Sequence, residues 1–269
     1  MLHGFIARRA LLGMFAAAVA LAASAPAPAH AAGPVLKVAV EGEYPPFNQV
    51  DKKGKLSGFD VDIANAVCQQ LGASCKFVQQ PWAGMIDGLV AGNYDLVVSS
   101  LSITNARRQR IDFSEAYYTT PAKFVGKKDL VLTADLDALK GRKVAVQKAT
   151  THERYLASRL GSSVELVRYD TLPAATADLV KGKVDVVFAD ALALSQGFLK
   201  GDKAKGYAFV GPDLVLGNGI GIGVRKGQSD LVAQLNRALD TIRTDGSYDK
   251  IGNKYFPFGL NQPGALAMQ

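Results

Sequence analysis

The stretch VVSSLSITNARRQRIDFSEAYY runs from Val97 to Tyr118. An apolar run ends in Ser99 and Ser100, Ser102 and Thr104 follow, and Arg107, Arg108 and Arg110 come next. Hydroxyls and guanidinium groups placed where a buried strand stops can hold a small anion. Two other strand-like runs end in acidic side chains, KVAVE at Glu41 and VDVVFAD at Asp190. A molecule carrying charges of both signs, such as an amino acid, suits that combination. Other chemistries are poorly supplied. Of three histidines, His3 and His30 lie in a segment expected to be removed, which leaves His152. One histidine excludes a multi-histidine metal site and gives a Ser-His-Asp triad a single candidate base.

The elements that must position these groups alternate between strand and helix. VLKVAVEG is a valine-rich strand, and FDVDIANAVCQQLG has apolar residues at helical spacing up to a stop at Gly72. CKFVQQ reads as a strand, WAGMIDGLVAGN as a helix stopping at Gly92, and YDLVVSS as a buried strand. Such alternation predicts an α/β fold with a largely parallel sheet. The pattern then begins again. KVAVEGEYPPF (residues 37–47) is echoed by KVAVQKATTHE (143–153), and DGLVAGNYDLVVSS (87–100) by ADLVKGKVDVVFAD (177–190). Two matches in the same order, at offsets of 106 and 90 residues, predict two similar α/β lobes. Ligands of open α/β sheets bind beyond the carboxyl ends of the strands. Glu41, Ser99 and Ser100 from one lobe, with Gln147 and Asp190 from the other, are therefore expected to line one cleft with Arg107.

The N-terminus reads as a secretory signal over residues 1–31. Arg8 and Arg9 precede an apolar run, and Ala29-His30-Ala31 has the form of a cleavage site. The run is shorter than the roughly 20 residues a membrane-spanning helix needs, and Pro26 and Pro28 follow it. The paired arginines leave the general secretory and twin-arginine export routes both open. In an exported chain, Cys68 and Cys75 are expected to form a disulfide. The formal charge of +7 falls to +5 without Arg8 and Arg9, and the lysines are scattered. A basic stripe with interleaved aromatics, as nucleic-acid binding requires, is missing from the sequence. GNGIGI, from Gly217, fails the dinucleotide fingerprint because its sixth residue is Ile222.

In this order, EGEYPPFN, GKLSGFDVDIANAVC, SSLSIT with Arg107 three residues on, DFSEAYY, VAVQKATTHE, FAD and DGSYDKIGNKYF resemble the polar amino-acid-binding proteins of bacterial ABC importers, solute-binding protein family 3. The lysine/arginine/ornithine- and histidine-binding branch is the most similar. The resemblance implies a type II periplasmic-binding-protein fold, with two lobes joined by two crossing strands and the ligand between them. The implied layout is lobe 1 over 34–119, lobe 2 over 122–213, and a return to lobe 1 over 216–260. Arg107 matches the arginine that holds the α-carboxylate, with Thr151 a second donor on the other lobe. A flat guanidinium fork suits two-point contact with a carboxylate, and Ser102 and Thr104 precede a helix whose free N–H groups favour an anion. Asp190 matches the carboxylate that binds the α-ammonium, although an Asp before ALALSQGFL could also cap that helix. Ser99, Ser100 and Ser102 match further polar contacts. Tyr44 and Trp82 match aromatics that sandwich the ligand side chain, and Cys68 and Cys75 match a disulfide of the branch.

Two positions depart from the pattern. Glu41 stands where the basic-amino-acid binders carry Asp, and His152 replaces a glutamine. The implied function is capture of a basic amino acid and delivery to an inner-membrane ABC permease from the periplasm. The chain is expected to act as a monomer, without cofactor, metal or nucleic acid. Three other readings stay open. One is an opine binder, which an additional basic contact in the cleft would favour. Another is an exported prephenate or arogenate dehydratase using Glu41, Glu153 or His152 as its buried acid. The third, a sensor domain, calls for a membrane helix or signalling domain that the sequence up to Gln269 is not expected to supply.

Overall fold

The computed structural model describes residues 33–258 and 260. The expected signal segment lies outside the described residues. The first part of the chain supplies β1 (Val35–Val40), a small hairpin sheet of β2 (Glu43–Tyr44), β3 (Asn48–Val50) and β4 (Leu56–Ser57), then α1 (Phe59–Gln70), β5 (Ser74–Gln79), α2 (Met85–Val90), β6 (Leu96–Val97), α3 (Asn105–Arg108) and β7 (Ile111–Tyr118). There follow β8 (Ala122–Lys127), β9 (Lys143–Gln147), α4 (Thr151–Arg159), β10 (Glu165–Tyr169), α5 (Leu172–Val180), β11 (Val186–Asp190), α6 (Ala191–Leu194) and β12 (Tyr207–Leu214). The last elements are β13 (Ile220–Arg225), α7 (Ser229–Thr244) and α8 (Ser247–Gly252).

Two five-stranded sheets result, ordered β5-β1-β6-β13-β7 and β10-β9-β11-β8-β12. In each, the first three strands run parallel and the last two joints are antiparallel. The two copies of KVAV lie in β1 and β9, the second strand of each sheet, and the second repeated stretch supplies the third strand of each, β6 and β11. The chain passes between sheets twice, from β7 to β8 and from β12 back to β13. This is the two-lobed α/β architecture expected, but each sheet is mixed rather than largely parallel, because β8 and β13, the strands that arrive from the other sheet, pair antiparallel to both their neighbours.

The inner stretches of the valine-rich strands, Val38 to Val40 and Val144 to Val146, are apolar because both their faces are covered. Val38 and Val40 pack into one cluster and Ala39 into another, on opposite faces of β1. Val144 and Val146 likewise face away from Ala145 in β9. Helix α1 buries Phe59, Ile63, Ala64 and Val67, the apolar stripe its spacing predicts. Cys68, near its end, is bonded to Cys75 at the start of β5, with Cα atoms 5.8 Å apart. Gly58 enters α1 at φ 127°, where a Cβ would lie 2.3 Å from the Phe47 carbonyl oxygen. Only glycine fits there.

Three elements are shorter than the sequence pattern implies. WAGMIDGLVAGN forms helix over Met85–Val90, after Gly84 at φ 90°, and so leaves Trp82 in the preceding loop. ALALSQGFL is α-helical for four residues and continues as a wider π turn over Ser195–Leu199. Within YDLVVSS only Leu96–Val97 is strand. Ser99 and Ser100 leave the ladder because their side chains take other partners. Ser99 Oγ accepts the Glu41 N–H, and Ser100, at φ 49°, donates to Asp60.

Candidate functional site

The carboxyl ends of β1, β6, β9 and β11 bring Glu41, Ser99, Ser100, Gln147 and Asp190 to one small cavity of about 20 Å³. Tyr44 reaches it from β2, Arg107 from α3, and Thr151 and His152 from the first turn of α4. Trp82, in the loop after β5, and Ser102, which bridges to Ile220, complete the wall with Thr150. All nine side chains read from the sequence as ligand contacts lie here: Glu41, Tyr44, Trp82, Ser99, Ser100, Ser102, Arg107, Thr151 and Asp190. Gln147, Thr150 and His152 join them. Gln147 occupies in β9 the place Glu41 follows in β1, so the repeat held the signal for it.

The two lobes meet through side chains of this cleft. Tyr44 Oη donates to Asp190 Oδ2 at 2.7 Å, and Gln147 Nε2 donates to Glu41 Oε1 at 2.5 Å and to the Asp170 carbonyl at 2.9 Å. Trp82 Nε1 donates to the Ala149 carbonyl at 3.2 Å, and the Ser102 and Thr151 hydroxyls are 3.5 Å apart. Gly197 abuts Pro45, whose carbonyl oxygen would lie 2.6 Å from any added Cβ. Each polar contact can be exchanged for a contact to a guest. Tyr44 can yield Asp190 to an ammonium, and Gln147 can yield Glu41 to another cation.

Charge in the cleft is concentrated and buried. Glu41 is 4% exposed, and burial pushes its carboxyl up from 4.5 to about 7, the Gln147 hydrogen bond opposing and Glu43 adding a little. Arg107 is 5% exposed. Its Nη1 donates to the Ser102 carbonyl at 2.8 Å, and its guanidinium carbon lies 5.2 Å from the centre of the Trp82 ring. Among the described residues, no carboxylate lies within ion-pair distance of it. Burial brings Arg107 down to about 9, with Arg154 as a second, like-charged cause and Asp190 opposing. A guanidinium offers five N–H donors, and the bond to the Ser102 carbonyl uses one of them. His152 Nε2 lies 3.5 Å from Asp190 Oδ1, with its ring edge-on to Phe188.

Behind the cleft, Asp60 is fully buried. It accepts from Tyr117 Oη at 2.6 Å, Asn48 Nδ2 at 2.9 Å and Ser100 Oγ at 3.0 Å. Asn48 Oδ1 in turn accepts the Gly42 N–H, and Tyr118 Oη donates to Ser100. One carboxylate therefore fixes both the turn after Glu41 and the Ser100 backbone. The helical phase of α1 puts Asp60 on the same face as Ile63 and Ala64, while Asp62 turns outward to Lys254.

Several local expectations change. Helix α3 has four residues, and its Thr104 N-cap accepts the Arg107 N–H at 3.2 Å, so that backbone donor is already used. Asp190 stands at the N-cap of α6 but makes no capping hydrogen bond, since its oxygens face Tyr44 and His152. Arg108 and Arg110 lie on the surface, Arg110 paired with Asp87. Glu153 points away from the cavity to Arg168 and the Ala149 N–H.

Residues 36–258 match the profile of the bacterial extracellular solute-binding proteins, family 3. The chain is 43% identical over 238 residues to the L-arginine-binding protein of Pseudomonas aeruginosa, which covers 87% of this chain and 92% of that relative. It is 35% identical over 243 residues to the lysine/arginine/ornithine-binding periplasmic protein of Escherichia coli, covering 88% and 94%. Among solved structures, an ancestral arginine-binding protein bound to arginine is similar at TM-score 0.77 and 34% identity, over 84% of this chain and all of that one.

Proposed function

The chain belongs to the bacterial extracellular solute-binding proteins of family 3, and from that premise we propose that it captures a basic amino acid, L-arginine foremost, between its lobes and passes it to an ABC permease. One observation carries this reading. Two buried carboxylates, Glu41 and Asp190, converge on one cavity with a buried arginine that has no carboxylate partner among the described residues. A basic amino acid complements all three charges. Its α-carboxylate pairs with Arg107 and accepts from Thr151. Its α-ammonium displaces Tyr44 from Asp190, and its side-chain cation displaces Gln147 from Glu41. Tyr44 and Trp82 flank the side chain, as aromatic faces attract cations. Ser99, Ser100 and Ser102 add polar contacts. The relative with 43% identity, named for L-arginine, supports placing that ligand first.

The lobes are assigned to residues 34–119 with 216–260, and 122–213. The protein works in the periplasm after cleavage of its signal, as a monomer, and performs no chemistry on the ligand. A thermal-shift screen of the twenty amino acids, ornithine and octopine tests this. The largest shift should come from a basic amino acid, and at a hundred times the dissociation constant it corresponds to about 2.7 kcal/mol. Equal shifts with glutamate or leucine would remove the basic selectivity. Octopine exceeding every amino acid would favour an opine binder, and turnover of prephenate or arogenate would favour an enzyme.

A further inference from the structure

Arg154 lies in the second turn of α4, three residues after Thr151, and is exposed. It lines a recess of about 290 Å³ beside the cleft, together with Arg107, Trp82 and Ala149. The wall between recess and cleft is the stack of Arg107 on Trp82, which line both. Two cations from opposite lobes thus line one recess. Neighbouring carboxylates do not neutralise Arg154. Asp87, also in the recess, is paired with Arg110, and Glu153 is turned to Arg168. Among the described residues Arg154 has no ion pair. The repulsion is felt at Arg107, where Arg154 reinforces burial in lowering the guanidinium.

We infer that Arg154 is a specificity-determining residue that selects ligands bearing a free α-carboxylate. Closing the lobes brings Arg154 toward Arg107. A carboxylate lying on Arg107 turns that encounter into attraction, because one negative charge then sits between two positive ones. A ligand without the carboxylate leaves like charges facing each other and adds its own cation. Arg107 supplies direct contact, while Arg154 acts through the field, so its contribution is smaller and screened by salt.

The inference rests on the proposed capture of a basic amino acid, and the test separates the two. Calorimetry at low ionic strength compares L-arginine with agmatine, its decarboxylated form, in the parent, Arg154→Ala and Arg154→Lys. The exposed helical site tolerates both changes. The parent should prefer L-arginine. Arg154→Ala should narrow that preference about three- to fivefold, the scale of an exposed charge pair, and Arg154→Lys should keep it. A parent that binds L-arginine, with an Ala variant that retains the full preference, overturns the inference alone. So does a Lys variant that loses the preference as Ala does. A parent that binds no basic amino acid overturns the proposed function along with it.

Discussion

Glu41 gives the most exacting prediction. Burial moves its carboxyl from 4.5 to about 7 in the closed cleft. A cationic side chain seated against it favours the ionised form and draws the group back toward its ordinary value. Below pH 7 the ligand must therefore expel a proton from Glu41 before it can pair, and its affinity falls. With 7 in the free cleft and 4.5 in the complex, linkage gives a binding constant roughly twentyfold weaker at pH 5.5 than at pH 7.5. The same shift acts on stability. The unfolded chain loses this proton near 4.5, so the stability Glu41 contributes is complete below that pH and is lost as pH rises through about 7. Ligand protection against heat should accordingly grow between pH 5.5 and 7.5. Calorimetry with L-arginine at both pH values measures the effect, and buffers of different ionisation enthalpy count the proton released at pH 5.5. Glu41→Gln should lose most of the pH dependence and most of the preference for L-arginine over L-glutamine. A parent whose affinity changes less than threefold, or a Gln variant with the parent's pH profile, refutes the reasoning and moves selectivity to Gln147 or His152.

Arg107→Ala and Asp190→Ala each leave a desolvated charge unpaired in the complex, which typically costs ~2–5 kcal/mol. Both should weaken every amino-acid ligand alike, by roughly thirty- to several-thousand-fold, as titration calorimetry will read. Cys68 and Cys75 close a loop with a separation of seven residues, so Cys68→Ser with Cys75→Ser should lower stability by about 2–3 kcal/mol in denaturant melts. Intact mass of the native protein should show two hydrogen atoms fewer than the reduced chain. Asp60→Ala leaves Tyr117, Asn48 and Ser100 without their acceptor, and should cost both stability and affinity, on the order of 1–3 kcal/mol for each buried group left unpaired.

Much of this architecture is written in short range. The two KVAV runs predict strands because valine fits a pleated surface covered on both faces, and β1 and β9 occupy equal places in their sheets. Strand ends then indicate where Glu41, Ser99, Ser100, Gln147 and Asp190 must gather, since alternating α/β connections put ligand sites at those ends. Less legible was the length of β6. Apolar run and β propensity favoured continuing through Val98 to Ser100, but the serine hydroxyls bind the Glu41 N–H and Asp60 instead. These partners are 58 and 40 residues away. The π turn after α6 carries a non-local contact too, since Gly197 within it abuts Pro45. The pairing of Gln147 with Glu41 depends on lobe closure, which no local pattern encodes, although the repeat places the two residues in register. Nothing in the sequence around Arg154 sets it apart from other charges on helix surfaces. Its nearness to Arg107 arises only when α3 and α4, from different lobes, face the same recess.

A crystal structure of the mature chain with L-arginine tests the central claim most directly. The ligand carboxylate should lie on Arg107 and Thr151, its ammonium on Asp190, and its guanidinium on Glu41 between Tyr44 and Trp82. A ligand lying in the reverse sense, with its guanidinium at Asp190, or one bound outside this cleft, would contradict it.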